Sequence, residues 1–534
     1  MLPGKITKSV ILLVIPLIIS SFTHLWNPLG FPPFFVDEGH YMRRTLQVLN
    51  GLGAQESLAV YDYPYDHPYF GQLFLAGLLW ITGYPSSLQV SDGPDLKNSI
   101  EMLHSMPRII MGILAVLDTL LIFKITELYY NRNVAFFASI LFAAMPITWM
   151  FRMILLDTLF LPFLLLSILF LLYYRNRQIK QLDRVSAGLG KKRSLFMVIL
   201  SGIFFGLALF TKESAFFMIP PLLYLILSSK SPTGQSIKRF KILAAWFVPV
   251  GFFLFLWPAI AIFQHQFDNW ISGVSYQVVR QEKELSTTLQ SLFSIDPVIM
   301  ILTVIALVLA TKKEYLFLLW IIPYSLFILI LGANVRYFHF IPLVPAFCIL
   351  SANLVVNFSQ IRNNNRMIVR YILVTSIVIF GLVCTILLVS TNLTTIYFNL
   401  YPLIVKALPS QHNDGNNAVT MIGSHWMRNF YWIPKYIFNK NLDFKVADPI
   451  LFFNGTQPSS KTMLLISRNL NSEIRDAKLN DAFITQLRSI TYNTSVIGTI
   501  NENWTALRYP HIYPYNVFDI LLGPLGKVDL RTNY

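Results

Sequence analysis

The stretch "FFVDEGHYMRR", residues 34–44, puts Asp37 and Glu38 directly after an apolar run. Charged groups are costly at membrane depth, so a carboxylate pair beside an apolar segment of about membrane-spanning length is a functional-site candidate. Similar residues recur at four later places. His67 lies in "YDYPYDHPYFGQ" (61–72), and Arg152 and Asp157 lie in "FRMILLDTLF" (151–160). Lys212 and Glu213 lie in "GLALFTKESAFF" (206–217), and Arg336 and His339 in "NVRYFHFIPLVP" (334–345). Lys, Arg and His at headgroup height suit a lipid phosphate. A carboxylate beside them suits a general base that takes a proton from an acceptor hydroxyl. Cations also stabilise the charge on a departing phosphate. Together these residue types point to sugar transfer from a lipid-phosphate carrier. Asp37 and Asp157 are alternatively oxygen ligands for a divalent metal, which the sequence leaves open.

Each residue also has a plainer role. Lys212 and Arg336 at helix ends can snorkel to headgroups. Asp37 and Glu38 can be a solvated helix end, and Asp157 can pair with Arg152 five positions earlier. His67 and His339 can be ordinary interfacial histidines. Arg43 and Arg44 read as a solvated helix face.

The elements that must hold these residues are apolar helices. The chain has 534 residues, 54% hydrophobic and only 13% charged, where a soluble domain carries about 25% charge. Apolar runs recur in series, which excludes a lone signal peptide and predicts a polytopic α-helical membrane protein. About 11 transmembrane helices are expected, at 6–23, 106–128, 133–150, 158–174, 195–210, 213–228, 242–263, 297–311, 315–332, 338–357 and 370–390. Segment 69–83 is short for a span and reads as a helix lying at the interface. The net charge of +15 fits the positive-inside rule and calls for no nucleic acid. Loops 175–193, 230–241, 311–313 and 360–370, with the N-terminal lysines, Lys124 and Arg132, hold about 20 Lys and Arg against about 8 on the other side. That asymmetry puts loop 24–105 on the outer face, so the five charged sites converge there. The two cysteines, Cys348 and Cys384, lie in apolar runs and form no zinc pattern.

Residues 1–390 therefore form a membrane module and 391–534 a small outer-face α/β domain. The tail is polar and turn-rich, with the strand-like runs AVTMIG, TMLLIS and TSVIGTI. Its four sequons, at Asn392, Asn454, Asn493 and Asn503, are compatible with an exterior location. Loop 264–296, with Trp270, Tyr276, Gln277 and Arg280, is expected to shape the acceptor side together with the tail.

In their order, these motifs resemble the GT-C superfamily of polyprenyl-phosphate-sugar-dependent glycosyltransferases. The resemblance runs over about residues 5–350 and is nearest to protein O-mannosyltransferases and to aminoarabinose and lipopolysaccharide-core sugar transferases. It rests on Asp37-Glu38 after the first helix, His67-Pro68-Tyr69, Arg152 to Leu159, Thr211-Lys212, and Arg336-Tyr337 before Pro342 and Pro345. The resemblance implies that Asp37 is the catalytic base or acceptor-orienting carboxylate, with Glu38 supporting it. It implies that His67, Arg152, Lys212 and Arg336 contact the donor phosphate or sugar. Asp157 would orient that site, or bind a metal where one is used. It further implies a single mannose-like hexose, a polyprenyl or dolichyl phosphate carrier, and a protein or glycolipid acceptor at the outer face of a plasma or endoplasmic-reticulum membrane. Two features depart from the family: Tyr69 replaces the second Pro of His-Pro-Pro, and the tail does not read as a β-trefoil. No Trp-Trp-Asp occurs, which disfavours whole-glycan transfer to Asn. A transporter or flippase is the alternative, but it calls for charges near the bilayer midplane. A scaffold would leave Asp37, Asp157, Lys212 and Arg336 unexplained as a set.

Overall fold

The computed structural model describes residues 3–32, 34–53, 65–91, 93–182, 189–228, 236–279, 289, 292–293, 295–328, 336–357, 364–390, 392, 395–409, 419–422, 430, 432–440, 442–443, 462–467, 495–501 and 527–532. The expected Arg280 and the sequons at Asn454, Asn493 and Asn503 lie outside these residues. The chain forms two compact units. One comprises Met1–Pro28, Tyr63–Gly71 and Ile109–Val389; the other comprises Leu29–Asp62, Gln72–Arg108 and Ser390–Tyr534.

The first unit is a bundle of apolar helices. In chain order it contains α1 (Pro3–Leu25), the start of α3 (Phe70–Ile81), most of α4 (Leu96–Tyr129), α5 (Arg132–Ala144), α6 (Leu156–Leu182), α7 (Leu189–Thr211), α8 (Ile219–Leu227), α9 (Ser236–Phe263) and α10 (Phe267–Val279). Helices Pro297–Val308, Tyr315–Leu326, Val344–Asn357 and Asn364–Val389 complete it. Among the described residues each apolar run expected to span contains a helix; residues 329–332 of the run 315–332 lie outside them. Among the described residues, five helices are long and apolar enough to cross a membrane, or six if α5 and the short helix Pro146–Arg152 count as one bent span. That pair bends by 68°. Asp296 accounts for part of the break: it caps the helix Pro297–Val308 through Ile299 N at 3.0 Å and accepts from Ile147 N at 3.2 Å. One side chain thus satisfies amides at two interrupted helix starts.

Within this unit the segment Tyr337–Asn357 and α6 lie innermost, 89% and 83% buried, while α9 forms the rim at 22%. Apolar residues such as Phe252, Phe255 and Phe263 are exposed on α9, as expected of a lipid-facing surface. Close approach of α7 to α9 requires Gly202, where a Cβ would stand 2.5 Å from the Trp246 carbonyl oxygen.

The second unit holds α2 (Val36–Leu49), most of α3, the start of α4, helices Thr395–Ala407 and Trp432–Tyr436, and a five-stranded sheet. The strands are β1 (Val419–Ile422), β2 (Leu442–Asp443), β3 (Thr462–Ser467), β4 (Ser495–Asn501) and β5 (Lys527–Thr532), in the order β2-β1-β3-β5-β4. β1 runs parallel to β2 and β3, while β5 runs antiparallel to β3 and β4. The three runs read as strand-like are β1, β3 and β4. The aromatic core of this unit packs Phe34, His104, Tyr397, Phe398, Tyr401 and Trp432 together.

Candidate active site

Among the described residues, the acidic candidates Glu38, Asp157 and Glu213 pair in two charged clusters, one in each unit. In the second unit the chain enters α2 through a capping box: Glu38 accepts the Phe35 backbone N–H at 3.0 Å. Arg108 then closes on the same carboxylate, with Nη2 at 2.8 Å and Nε at 3.1 Å. Its Nη1 donates to the Pro32 carbonyl at 2.7 Å, and its guanidinium lies 4.3 Å from the centre of the Phe34 ring. Both charged side chains are buried. A bidentate buried pair of this kind fixes geometry, and it commits both Glu38 oxygens. Asp37, the preceding residue, is half-buried in the first turn of α2, where the helix dipole favours an anion. Arg43 and Arg44 were expected on a solvated face. Both are buried, on a helix that packs against Trp432–Tyr436, where Gln47 Nε2 donates to the Tyr436 hydroxyl.

In the first unit, α7 ends at Thr211 and the next two residues diverge. Lys212, in extended conformation, reaches Asp157 Oδ2 at 2.6 Å; both are almost fully buried. Asp157 stands in the first turn of α6, so its own partner is Lys212 across the bundle, in place of the local Arg152 pairing weighed from sequence. Asp157 Oδ1 is buried and has no hydrogen-bond partner among the described residues. Glu213 turns to His67, whose Nδ1 lies 3.0 and 3.1 Å from the two carboxylate oxygens. His67 is 14% exposed and Glu213 45%. Burial works against the imidazolium, but the Glu213 carboxylate, helped by Asp66, outweighs it and holds the His67 pKa above its ordinary 6.5.

The chain segment bearing His67 is anchored from α10. Gly273 lies so close to it that a Cβ would sit 2.4 Å from the Tyr65 carbonyl oxygen. The Tyr65 hydroxyl lies 3.0 Å from side-chain oxygens of both Gln264 and Gln266.

Arg152 is buried, and its Nη2 donates to the carbonyls of Trp26 and Asn27 at 2.5 and 2.7 Å. It therefore caps the end of α1. Arg336 is exposed; its backbone N–H donates to His339 Nδ1 at 2.9 Å, which gives His339 a local capping role. Among the described residues no three His, Cys, Asp or Glu side chains gather closely enough to hold a metal ion. Asp157 already faces an ammonium group, so its donor set does not fit a divalent ion.

Sequence reasoning missed Arg108. It stands two residues inside an apolar run, "SMPRIIMGIL", and an arginine there is itself a signal. His24, His104 and Asp118 carried the same signal and are likewise buried.

Residues 61–272 match the dolichyl-phosphate-mannose-protein mannosyltransferase family. Across its whole length the chain superposes on ArnT from Cupriavidus metallidurans. The apo form gives a TM-score of 0.59 at 11% identity, covering 99% of this chain and 98% of that one. ArnT bound to undecaprenyl phosphate gives 0.56 at 10% identity, covering 100% and 99%. The archaeal oligosaccharyltransferase AglB from Archaeoglobus fulgidus, in complex with an inhibitory peptide and a dolichol-phosphate, gives 0.51 at 13% identity, covering 83% of this chain and 65% of that one. At these identities the likeness is one of fold. No curated protein matches the chain in sequence. The enzyme class read from the residues, a polyprenyl-phosphate-sugar-dependent glycosyltransferase, agrees with the family whose model matches residues 61–272.

Proposed function

We propose that this integral-membrane enzyme transfers a single sugar, a mannose-like hexose, from a polyprenyl or dolichyl phosphate carrier to a hydroxyl of a protein or glycolipid acceptor. The observation that carries this reading is the mannosyltransferase match over residues 61–272, which contains His67, Arg152, Asp157 and Lys212. The carriers bound by ArnT and AglB support the class of donor. In this reading the acceptor oxygen attacks the anomeric carbon while Asp37 takes its proton. The bond from that carbon to the phosphate oxygen breaks, and its electron pair leaves with the polyprenyl phosphate. Cations, His67 foremost, stabilise the charge that develops there. Glu38 supports Asp37 from its bond to Arg108. Arg336 is kept as a donor contact because its side chain is exposed. Arg152 is assigned to holding the end of α1. Eleven spans, an outer-face site and a C-terminal outer-face α/β domain belong to the same proposal, in a plasma or endoplasmic-reticulum membrane.

The test is a transfer assay with polyprenyl-phosphate sugars against peptide and lipid acceptors. Asp37→Asn is expected to lose about 100-fold or more in rate with an unchanged melting temperature. Retained transfer would remove Asp37 as the base. Movement of the lipid-linked sugar across sealed vesicles without any product would favour the flippase reading instead.

A further inference from the structure

The two cations of the first unit's cluster are held in opposite ways. Lys212 and Asp157 are both sealed from solvent, at 4% and 2% exposure. Separating them would strand buried charge on both sides. His67 is also largely covered, but its partner Glu213 keeps 45% of its side chain in contact with solvent. A carboxylate so placed can swing into water at little cost, and exposed pairs are weak. Its two oxygens straddle His67 Nδ1 at 3.0 and 3.1 Å, much as two phosphate oxygens would. Consecutive residues of one turn thus supply a permanent pair and an exchangeable one.

We infer that Glu213 is a seat-holder: it occupies the anion position on His67 in the empty protein, and the carrier's phosphate displaces it on binding. His67 then receives the phosphate while Lys212 stays with Asp157 and positions the turn. Other charged groups facing His67 are Asp66 and Lys212, and neither is exchanged. This inference rests on the glycosyltransferase reading above, and it names the residue that regulates entry to that donor site.

The test measures undecaprenyl phosphate binding to the detergent-solubilised full chain at about pH 5, below the ordinary histidine pKa, so that the comparison does not depend on the rise that Glu213 itself supplies. Glu213→Gln removes the competing charge, so its Kd is expected to fall about 2- to 5-fold relative to wild type. His67→Gln is expected to lose binding. On the wild type itself, carbodiimide labelling of Glu213, read by mass spectrometry, is expected to rise when undecaprenyl phosphate is added. That second measurement does not depend on any variant folding. Unchanged or weaker binding by Glu213→Gln, or labelling that does not rise, would mean that Glu213 orients His67 and would overturn the inference alone. Absence of binding to both undecaprenyl phosphate and dolichyl phosphate by the wild type would overturn both the inference and the donor class on which it rests.

Discussion

At the scale of single residues, the balance between burial and pairing decides what each charge can do. The His67–Glu213 pair carries a pH signature whose sign follows from the raised His67 pKa. A histidine that gains a carboxylate partner on folding adds stability that is fully present below its unfolded pKa, about 6.5. The contribution is lost as pH rises through the higher folded value. Because Glu213 is nearly half exposed, screening limits it to within about 1 kcal/mol. Wild type is therefore expected to melt slightly above Glu213→Gln at about pH 6, and the gap is expected to close as pH rises through the raised folded value. A gap that widens with pH would contradict the assignment. Asp157 and Lys212 were legible because each interrupts an apolar run, and His67 because it stands just before the apolar segment 69–83; the first unit brings all three together with Glu213. Their pairing was not legible. Lys212 finds Asp157 55 positions away and Arg108 finds Glu38 70 positions away, and no local period encodes such partners.

At the scale of elements, apolar length made the helices readable, while the devices that interrupt and dock them were not. The break after α5 falls at Pro146, a legible helix breaker, but the acceptor for the Ile147 amide beside it is Asp296, 149 residues along the chain. The docking of α10 depends on Gly273, which reads in sequence as an ordinary helical glycine. Alanine is intrinsically better than glycine inside a helix by about 1 kcal/mol. At position 273 that gain is opposed by a clash with the Tyr65 backbone, two residues before His67. Gly273→Ala is expected to raise the KM for the lipid-linked donor several-fold with a smaller change in kcat, measured by steady-state transfer. Gly251 in α9 has open space at its Cβ position and serves as the control. Gly251→Ala is expected to keep the KM and to match or exceed the wild-type melting temperature. Equal KM values in both variants would show that α10 does not position the donor segment.

At the scale of the whole molecule, sidedness follows from counting crossings. Between loop 24–105 and the Thr311–Lys313 loop, the sequence reading places seven spans, an odd number, so the two loops fall on opposite sides. Everything turns on α3, whose 12 apolar residues are fewer than the roughly 20 that a spanning helix needs. If α3 lies at the interface, the basic loops collect inside; if it crosses, every later loop inverts and the basic residues collect outside. Leu52 and Lys312 are both exposed, and Cys348 and Cys384 are buried, so single introduced cysteines report without background. In sealed cells, a membrane-impermeant maleimide is expected to label Leu52→Cys directly and Lys312→Cys only after permeabilisation. Labelling of both from outside would mean that α3 spans. Such a register would place about 18 basic residues on the wrong side of the positive-inside rule, which is why the opposite-side outcome is expected.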